Sequence, residues 1–484
     1  MNAPYAPRTH RRLTTAAILL VMAMSALEAT VVSTAMPTVI AELGGVAYYG
    51  WVAASYLLAV TVSVTVYGKL ADSYGRRPVF LAGIAMFLLG SLACGASGSI
   101  PVLIAARLLQ GLGAGAIQPT TMTLIGDLYT LEERGRVQGL FGAVWGVSGI
   151  VGPLVGGWLL RGLSWRWVFW VNIPFGVLGA LVFLYGYREA RPARAPAALD
   201  LQGAASLGLS AGCLLLGCGG HRPAVTLTVS ALAAVLFVLV ERRAEDPMVP
   251  LGLLRERTVA VTTASTMLLG GAMMGALTFM PLYAQGVLRA TPTQAGATVA
   301  AMLVGWPIAS AVTARLLVKV GFRRPMLLGS WVVAAALLGI AATLSPAVPR
   351  WSLQAWMVLY GLGMGVANTA SLLVVQTSVD ASRRGVVTGV NAFGRSIGSA
   401  VGTGALGALL TWRLLGLLPF ETVQALLRPD RRGEPLPGDP AALAEALSRA
   451  LLPLFWVLAG VGLLNVLVAH AMPEDSPRRG GAPR

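Results

Sequence analysis

The stretch GLGAGAIQPTTMTLIGDLYTLEERGRVQGLFGAVWGVSGIVGPLVGG, residues 111–157, reads as two apolar helices joined by a short charged turn. It returns as GLGMGVANTASLLVVQTSVDASRRGVVTGVNAFGRSIGSAVGTGALG at 361–407, with no insertion or deletion. An offset of 250 residues aligns Arg134 with Arg384, Gly135 with Gly385, Gly139 with Gly389, Gly152 with Gly402 and Gly157 with Gly407. Chance glycine matches are common in a chain with 58 glycines. A match that holds across two helices and the turn between them is a repeat, and the chain is expected to be two related halves.

Outside that stretch the chain keeps the same character. Of 484 residues, 56% are hydrophobic and 12% charged, and mean hydropathy is +0.72. A soluble domain carries about 25% charged residues, and a bilayer core needs about 20 apolar residues in a helix. Apolar runs of that length recur from end to end, which excludes a soluble fold. Fourteen spans are expected, near 14–40, 48–70, 79–97, 101–127, 136–160, 167–187, 200–218, 224–240, 258–285, 293–318, 326–345, 352–376, 386–412 and 451–471. The expected class is all-α integral membrane: a six-helix half (1–190), an inserted helix pair with its linkers (191–250), and a second six-helix half (251–484) with a long external loop at 413–450.

The net charge of +16 is topological information and not a nucleic-acid stripe. The 34 Arg and 2 Lys gather at every second gap between spans, and 23 of the 36 fall on the side of the N-terminus. The positive-inside rule makes that side cytoplasmic, with both termini on it. The first apolar stretch follows Arg8, Arg11 and Arg12 and runs too long for a cleaved signal, so it is expected to remain as the first helix. Cys94, Cys213 and Cys218 lie in or near spans without His or acidic company and read as small apolar residues.

Four motifs carry possible chemistry. The loop GKLADSYGRRP (68–78) has Gly68 and Gly75 for close approach and reversal. Its Asp72 is placed to pair with Arg76 or Arg77, or to face a neighbouring helix end. A plain basic loop is the simpler reading, but the spacing favours a gate. The other half offers ARLLVKVGFRRP (314–325), where Lys319 stands in place of the acid. In the fourth span, RLLQGLGAGAIQP (107–119) puts Arg107 at membrane depth, where it costs roughly 2.5 kcal/mol or more and should face a cavity or a carboxylate. The fifth span, with Gly149, Gly152, Pro153, Gly156 and Gly157, offers a flat face for close helix contact and a bend at Pro153. Glu28 is the one acid well inside a span. It sits about 21 Å from the cytoplasmic face by helical rise, and Arg107 about 9 Å from the outer face. In a core of about 30 Å the two are level. A structural ion pair and a proton-exchanging carboxylate both fit that geometry. Gln110, Asn391 and Arg395 are candidates to face a cavity or substrate, with hydrogen bonding to backbone carbonyls the plainer reading of Arg395.

Taken with LEATVVSTAMPTVIAELGG (27–45), WRWVFWVNIPFG (165–176) and FMPLYAQGVLRATPTQAG (279–296), these motifs resemble the signature set of the major facilitator superfamily. More narrowly, the chain is similar throughout to the fourteen-helix drug:proton antiporters. That resemblance implies the major facilitator fold, alternating access, proton-driven multidrug efflux of amphipathic or cationic molecules, and coupling through Glu28 and Arg107. It implies residence in the plasma or inner membrane and function as a monomer. Acids that some relatives carry in the tenth or thirteenth span are absent, which argues against divalent cations as cargo.

Other energy sources and classes fare poorly. A phosphate loop needs Gly-Lys-Ser/Thr, and neither Lys69 nor Lys319 is followed by a hydroxyl residue. No cofactor is expected beyond the proton gradient. A lipid-modifying enzyme would need a polar constellation at one membrane face, and His10, His221 and His470 have no sequence partners for one. The expected partners are small amphipathic substrates, protons and lipid, with no nucleic acid. A dedicated exporter of a single compound is the alternative.

Overall fold

A computed structural model describes residues 9–43, 49–189, 200–218, 222–244, 247, 252–290, 292–380, 383–419 and 440–474. A first block comprises α1 (Arg11–Leu43), α2 (Tyr49–Tyr74), α3 (Arg76–Gly95), α4 (Ile100–Leu128) and α5 (Leu131–Gly162). Its last span is divided at Val171 into α6 (Trp167–Trp170) and α7 (Asn172–Gly186). The pair α8 (Leu201–Cys218) and α9 (Pro223–Arg243) follows. A second block comprises α10 (Arg257–Gly286), α11 (Pro292–Val320), α12 (Arg323–Thr343), α13 (Arg350–Thr377), α14 (Arg384–Leu415) and α15 (Pro440–His470). Ten helical stretches among the described residues are long and apolar enough to cross a membrane. The long helices α1, α5, α8 and α14 pack alongside them.

The two blocks pack by the same rules. In the first, α4 lies against α2 and α3, while α1 lies against α5 and α7. In the second, α13 lies against α11 and α12, while α10 lies against α14 and α15. The blocks meet through α5 on α11 and α2 on α14, two seams that exchange equivalent helices. Beside the second seam runs α8, whose Gly208 and Gly212 face Val62 and Leu58 of α2.

The repeated Gly-Leu-Gly explains this packing. A Cβ on Gly111 would stand 2.5 Å from the Tyr56 carbonyl oxygen of α2, and one on Gly113 would stand 2.6 Å from the Gly83 carbonyl oxygen of α3. The first glycine therefore lets α4 touch α2 and the second lets it touch α3. Their counterparts repeat the arrangement: Gly361 meets the Met302 carbonyl of α11, and Gly363 meets Val333 N of α12, which would lie 2.7 Å from a Cβ. Apolar side chains fill the interior of each block, around Phe80, Phe87 and Phe183 in one and Met280, Met357 and Phe455 in the other.

Candidate functional site

Glu28 sits in an apolar stretch of α1, 1% exposed, and among the described residues the side chains that donate to it come from two other helices, α4 and α7. Arg107 of α4 places Nη1 against Glu28 Oε1 in a buried ion pair. The same Nη1 donates to Gln110 Oε1 at 2.6 Å, and Nε donates to the Val52 carbonyl at 3.3 Å. The guanidinium carbon lies 4.2 Å from the centre of the Tyr56 ring, a cation–π contact that holds its plane. Asn172, the first residue of α7, donates Nδ2 to Glu28 Oε2. Gln110 Nε2 then donates to Ser91 Oγ of α3 at 2.7 Å, which closes the network. Both carboxylate oxygens are therefore satisfied by donors, as a charge removed from water requires.

The sequence paired Glu28 with Arg107 by depth, and the two are in contact. Asn172, Ser91 and Tyr56 were not anticipated. Gln110 and Asn391, expected to face a substrate, are both buried against protein partners. Gln110 is 0% exposed within the Glu28 network, and Asn391 Nδ2 donates to Thr266 Oγ1 of α10 at 3.0 Å. Arg395 is part-exposed.

A second cluster lies where α2 turns into α3, at the basic face of the bundle. Gly75 makes the turn with φ of +98°, a region that only glycine enters freely. Asp72 pairs with Arg76 at 3.1 Å, and not with Arg77. Its two oxygens also accept the backbone N–H of Gly385 at 3.1 Å and of Val386 at 2.9 Å. These are free donors in the first turn of α14, so a carboxylate of one block caps a helix of the other. Arg76 Nε lies 3.0 Å from Asp127 Oδ2 of α4, and Asp127 Oδ1 lies 3.1 Å from Arg384 Nη1 of α14. Arg134 and Arg384, counterparts in the repeat, both donate to the Gly126 carbonyl, one from each block. Gly68 and Gly385 let the backbones close on each other: a Cβ on Gly68 would stand 2.6 Å from the Gly385 carbonyl oxygen.

Arg77 serves α3 instead. The backbone N–H groups of Arg76 and Arg77 donate to Glu189 Oε1 at 2.6 Å and Oε2 at 3.0 Å. Burial pushes the Glu189 carboxyl above the usual carboxylate range despite those donors.

On α5 the small residues face α11 of the other block. Cβ atoms on Gly139 and Gly142 would stand 3.1 Å and 3.0 Å from Pro307, and one on Gly146 would stand 3.3 Å from Leu303. Gly152 and Gly156 are buried. The side-chain surroundings at Gly149, Pro153 and Gly157, and at Lys319, lie outside the described residues, as does most of the 413–450 loop.

The described residues form a bundle of apolar helices in two similarly packed blocks, joined by a charged seam at one face and holding the sealed Glu28 carboxylate inside, the architecture of a multi-pass membrane protein. Residues 18–403 match the Major Facilitator Superfamily, and the chain belongs to that family. It is 34% identical to the multidrug transporter protein MdtP of Bacillus subtilis (strain 168), across 87% of this chain and 79% of that one. It is 30% identical to the tetracenomycin C resistance and export protein of Streptomyces glaucescens, across 92% of this chain and 84% of that one. Among solved structures, the human organic anion transporter MFSD10 superposes with a TM-score of 0.65 at 17% identity, covering 95% of this chain and 99% of that one. The proton:xylose symporter XylE superposes with a TM-score of 0.62 at 12% identity, covering 97% of each. At such identities the two structures speak for the fold alone.

Proposed function

We propose that this chain is a proton-coupled multidrug exporter, of the fourteen-helix drug:proton antiporter type, that moves amphipathic small molecules out of the cell by alternating access. The observation that carries the reading is Glu28, a carboxylate buried at membrane depth and held by Arg107 and Asn172. A proton on Glu28 removes the charge that fixes Arg107, so binding and release of that proton bias the helices that hold it: α1, α4 and α7. Relatives named as multidrug transporter and export proteins support efflux of small molecules.

In this scheme residues 1–190 and 251–484 are the two moving halves, 191–250 supplies the inserted pair, and fourteen helices span the plasma or inner membrane. The basic face is cytoplasmic, both termini lie there, and the protein acts as a monomer. The Asp72, Arg76, Asp127 and Arg384 seam latches that face shut, and the stripe on α5 rolls against α11 when it opens. No cofactor takes part. Purified protein in vesicles with an acidic lumen and no nucleotide should concentrate a fluorescent amphiphile inside them as protons leave. Transport that needs nucleotide, or that ignores collapse of the pH gradient by a protonophore, would overturn this reading.

A second reading, export of one dedicated compound, is favoured by the relative named for tetracenomycin C. Competition separates the two: unrelated amphiphiles inhibit a multidrug exporter and leave a dedicated one untouched.

A further inference from the structure

Arg384, Thr388, Asn391, Arg395, Ser399 and Thr403 recur at spacings of three and four along α14 and so share one face of it. Phe393, Ile397 and Val401 take the opposite side, and a helix so divided turns its polar stripe away from lipid. Most of the stripe is already engaged. Arg384 pairs with Asp127, Thr388 accepts from Gln376 at 3.3 Å, Asn391 donates to Thr266, and Ser399 Oγ donates to the Gly270 carbonyl at 3.1 Å.

Arg395 differs from its neighbours. It lies eleven residues into α14, about 16 Å along the helix, near the middle of a core about 30 Å thick. Its stem packs on α10, with Cγ 3.0 Å from where a Cβ of Gly270 would stand, so the absence of a side chain at Gly270 makes room for it. Its side chain is part-exposed and, among the described residues, has no carboxylate or carbonyl to receive it. Nor is an acid left over for it at that depth. Glu28 is taken by Arg107, Asp72 by Arg76 and the start of α14, and Asp127 by Arg76 and Arg384.

Among the described residues, Arg395 is thus a positive charge near mid-membrane with no counter-charge beside it on α10 or α14. In a medium of low dielectric constant, that charge attracts an anion and repels a cation strongly. We propose that Arg395 is the polar anchor of the substrate site and that the molecules carried best are amphiphiles bearing a carboxylate or other anionic group. This rests on the exporter reading above and names its substrate class.

Three probes with one apolar body test it: pyrenebutyrate, pyrenebutanol and pyrenebutylammonium, titrated by fluorescence anisotropy into purified full-length protein at low salt. The expected result is saturable binding of pyrenebutyrate about tenfold or more tighter than of pyrenebutylammonium, with pyrenebutanol between them. Arg395→Gln should bring the three affinities together, Arg395→Glu should reverse their order, and Arg395→Lys should keep it. Circular dichroism and detergent size-exclusion profiles matching the parent's report that the variants fold. A parent protein that binds the ammonium probe as tightly as the acid overturns the anion assignment even if no variant folds. A preference that survives Arg395→Gln also overturns it. A parent that binds none of the three sinks the exporter reading as well, which separates the two failures.

Discussion

The Asp72 carboxylate accepts the backbone N–H of Val386 at 2.9 Å, so the end of α2 caps a helix that begins more than three hundred residues later. In the proposed cycle this contact is made while the two blocks are closed at the basic face and is lost when they part. Anything that weakens it shifts the balance between closed and open forms by the lost interaction energy.

Asp72→Asn keeps the shape and one acceptor oxygen but removes the charge. Hydrogen bonds to a charged group contribute about 1.5–3 kcal/mol, and 1.4 kcal/mol is a factor of ten in population. Transport in vesicles is expected to fall by roughly fivefold or more, with membrane abundance unchanged. Transport equal to the parent's would remove the latch from the scheme.

Gly68→Ala acts on the same seam by bulk. Its Cβ would stand 2.6 Å from the Gly385 carbonyl oxygen, and overpacking of that kind costs about 1–3 kcal/mol. An engineered Thr388→Cys, at a position 2% exposed, reports the opening through its labelling by a water-soluble thiol reagent. Labelling should be faster by severalfold in the Gly68→Ala background, and an unchanged rate would show that the seam absorbs the methyl group.

How much of this was legible in the sequence depended on whether the partner was a side chain with a known depth. Glu28 and Arg107 could be matched because each is a charge in an apolar helix of known direction, and helical rise fixes their levels. The partner of Asp72 could not be found that way, because it is the backbone of Gly385 and Val386, which no residue type announces. Asn172 went unnoticed because an uncharged amide at the start of a helix gives no depth signal, although it sits in WVNIPFG beside an obvious break. Gln110 reads as a cavity residue because nothing in the sequence places Ser91 of α3 within its reach. The repeat was visible from its glycines, but only the packing shows which neighbour each one admits.

Glu189 gives a pH signature outside the membrane. Burial raises its carboxyl above the ordinary 4.5 in the folded protein, so there the folded state binds this proton more tightly than the unfolded chain. Its contribution to stability is therefore greatest at low pH and is lost as pH rises from 4.5 through the raised value. Thermal midpoints of the purified protein across that interval should decline less in Glu189→Gln than in the parent. Identical profiles would mean that Glu189 titrates normally.

Orientation is open to reporters. With 23 of 36 basic residues on one side, a reporter after Arg194 or at the C-terminus should read as cytoplasmic, and one near Gly433 as external. Arg194 and Gly433 lie outside the described residues, so this expectation rests on charge alone. An external C-terminus would mean an odd number of spans.

The central claim is that Glu28 trades its proton for substrate. Glu28→Gln copies the protonated carboxyl in size and leaves Arg107 without its counter-charge, while Glu28→Asp keeps the acid with one methylene less reach. Glu28→Gln should still bind an amphipathic substrate, and Glu28→Asp should retain part of the proton-driven efflux. The most direct measurement is proton release into weakly buffered solution when substrate is added to purified protein in detergent. The parent is expected to release protons in proportion to substrate bound, and Glu28→Gln to release none while binding the same ligand. Undiminished release from Glu28→Gln would contradict the account, leave the Glu28–Arg107 pair a packing device, and move coupling to Asp72 or Asp127 at the basic face.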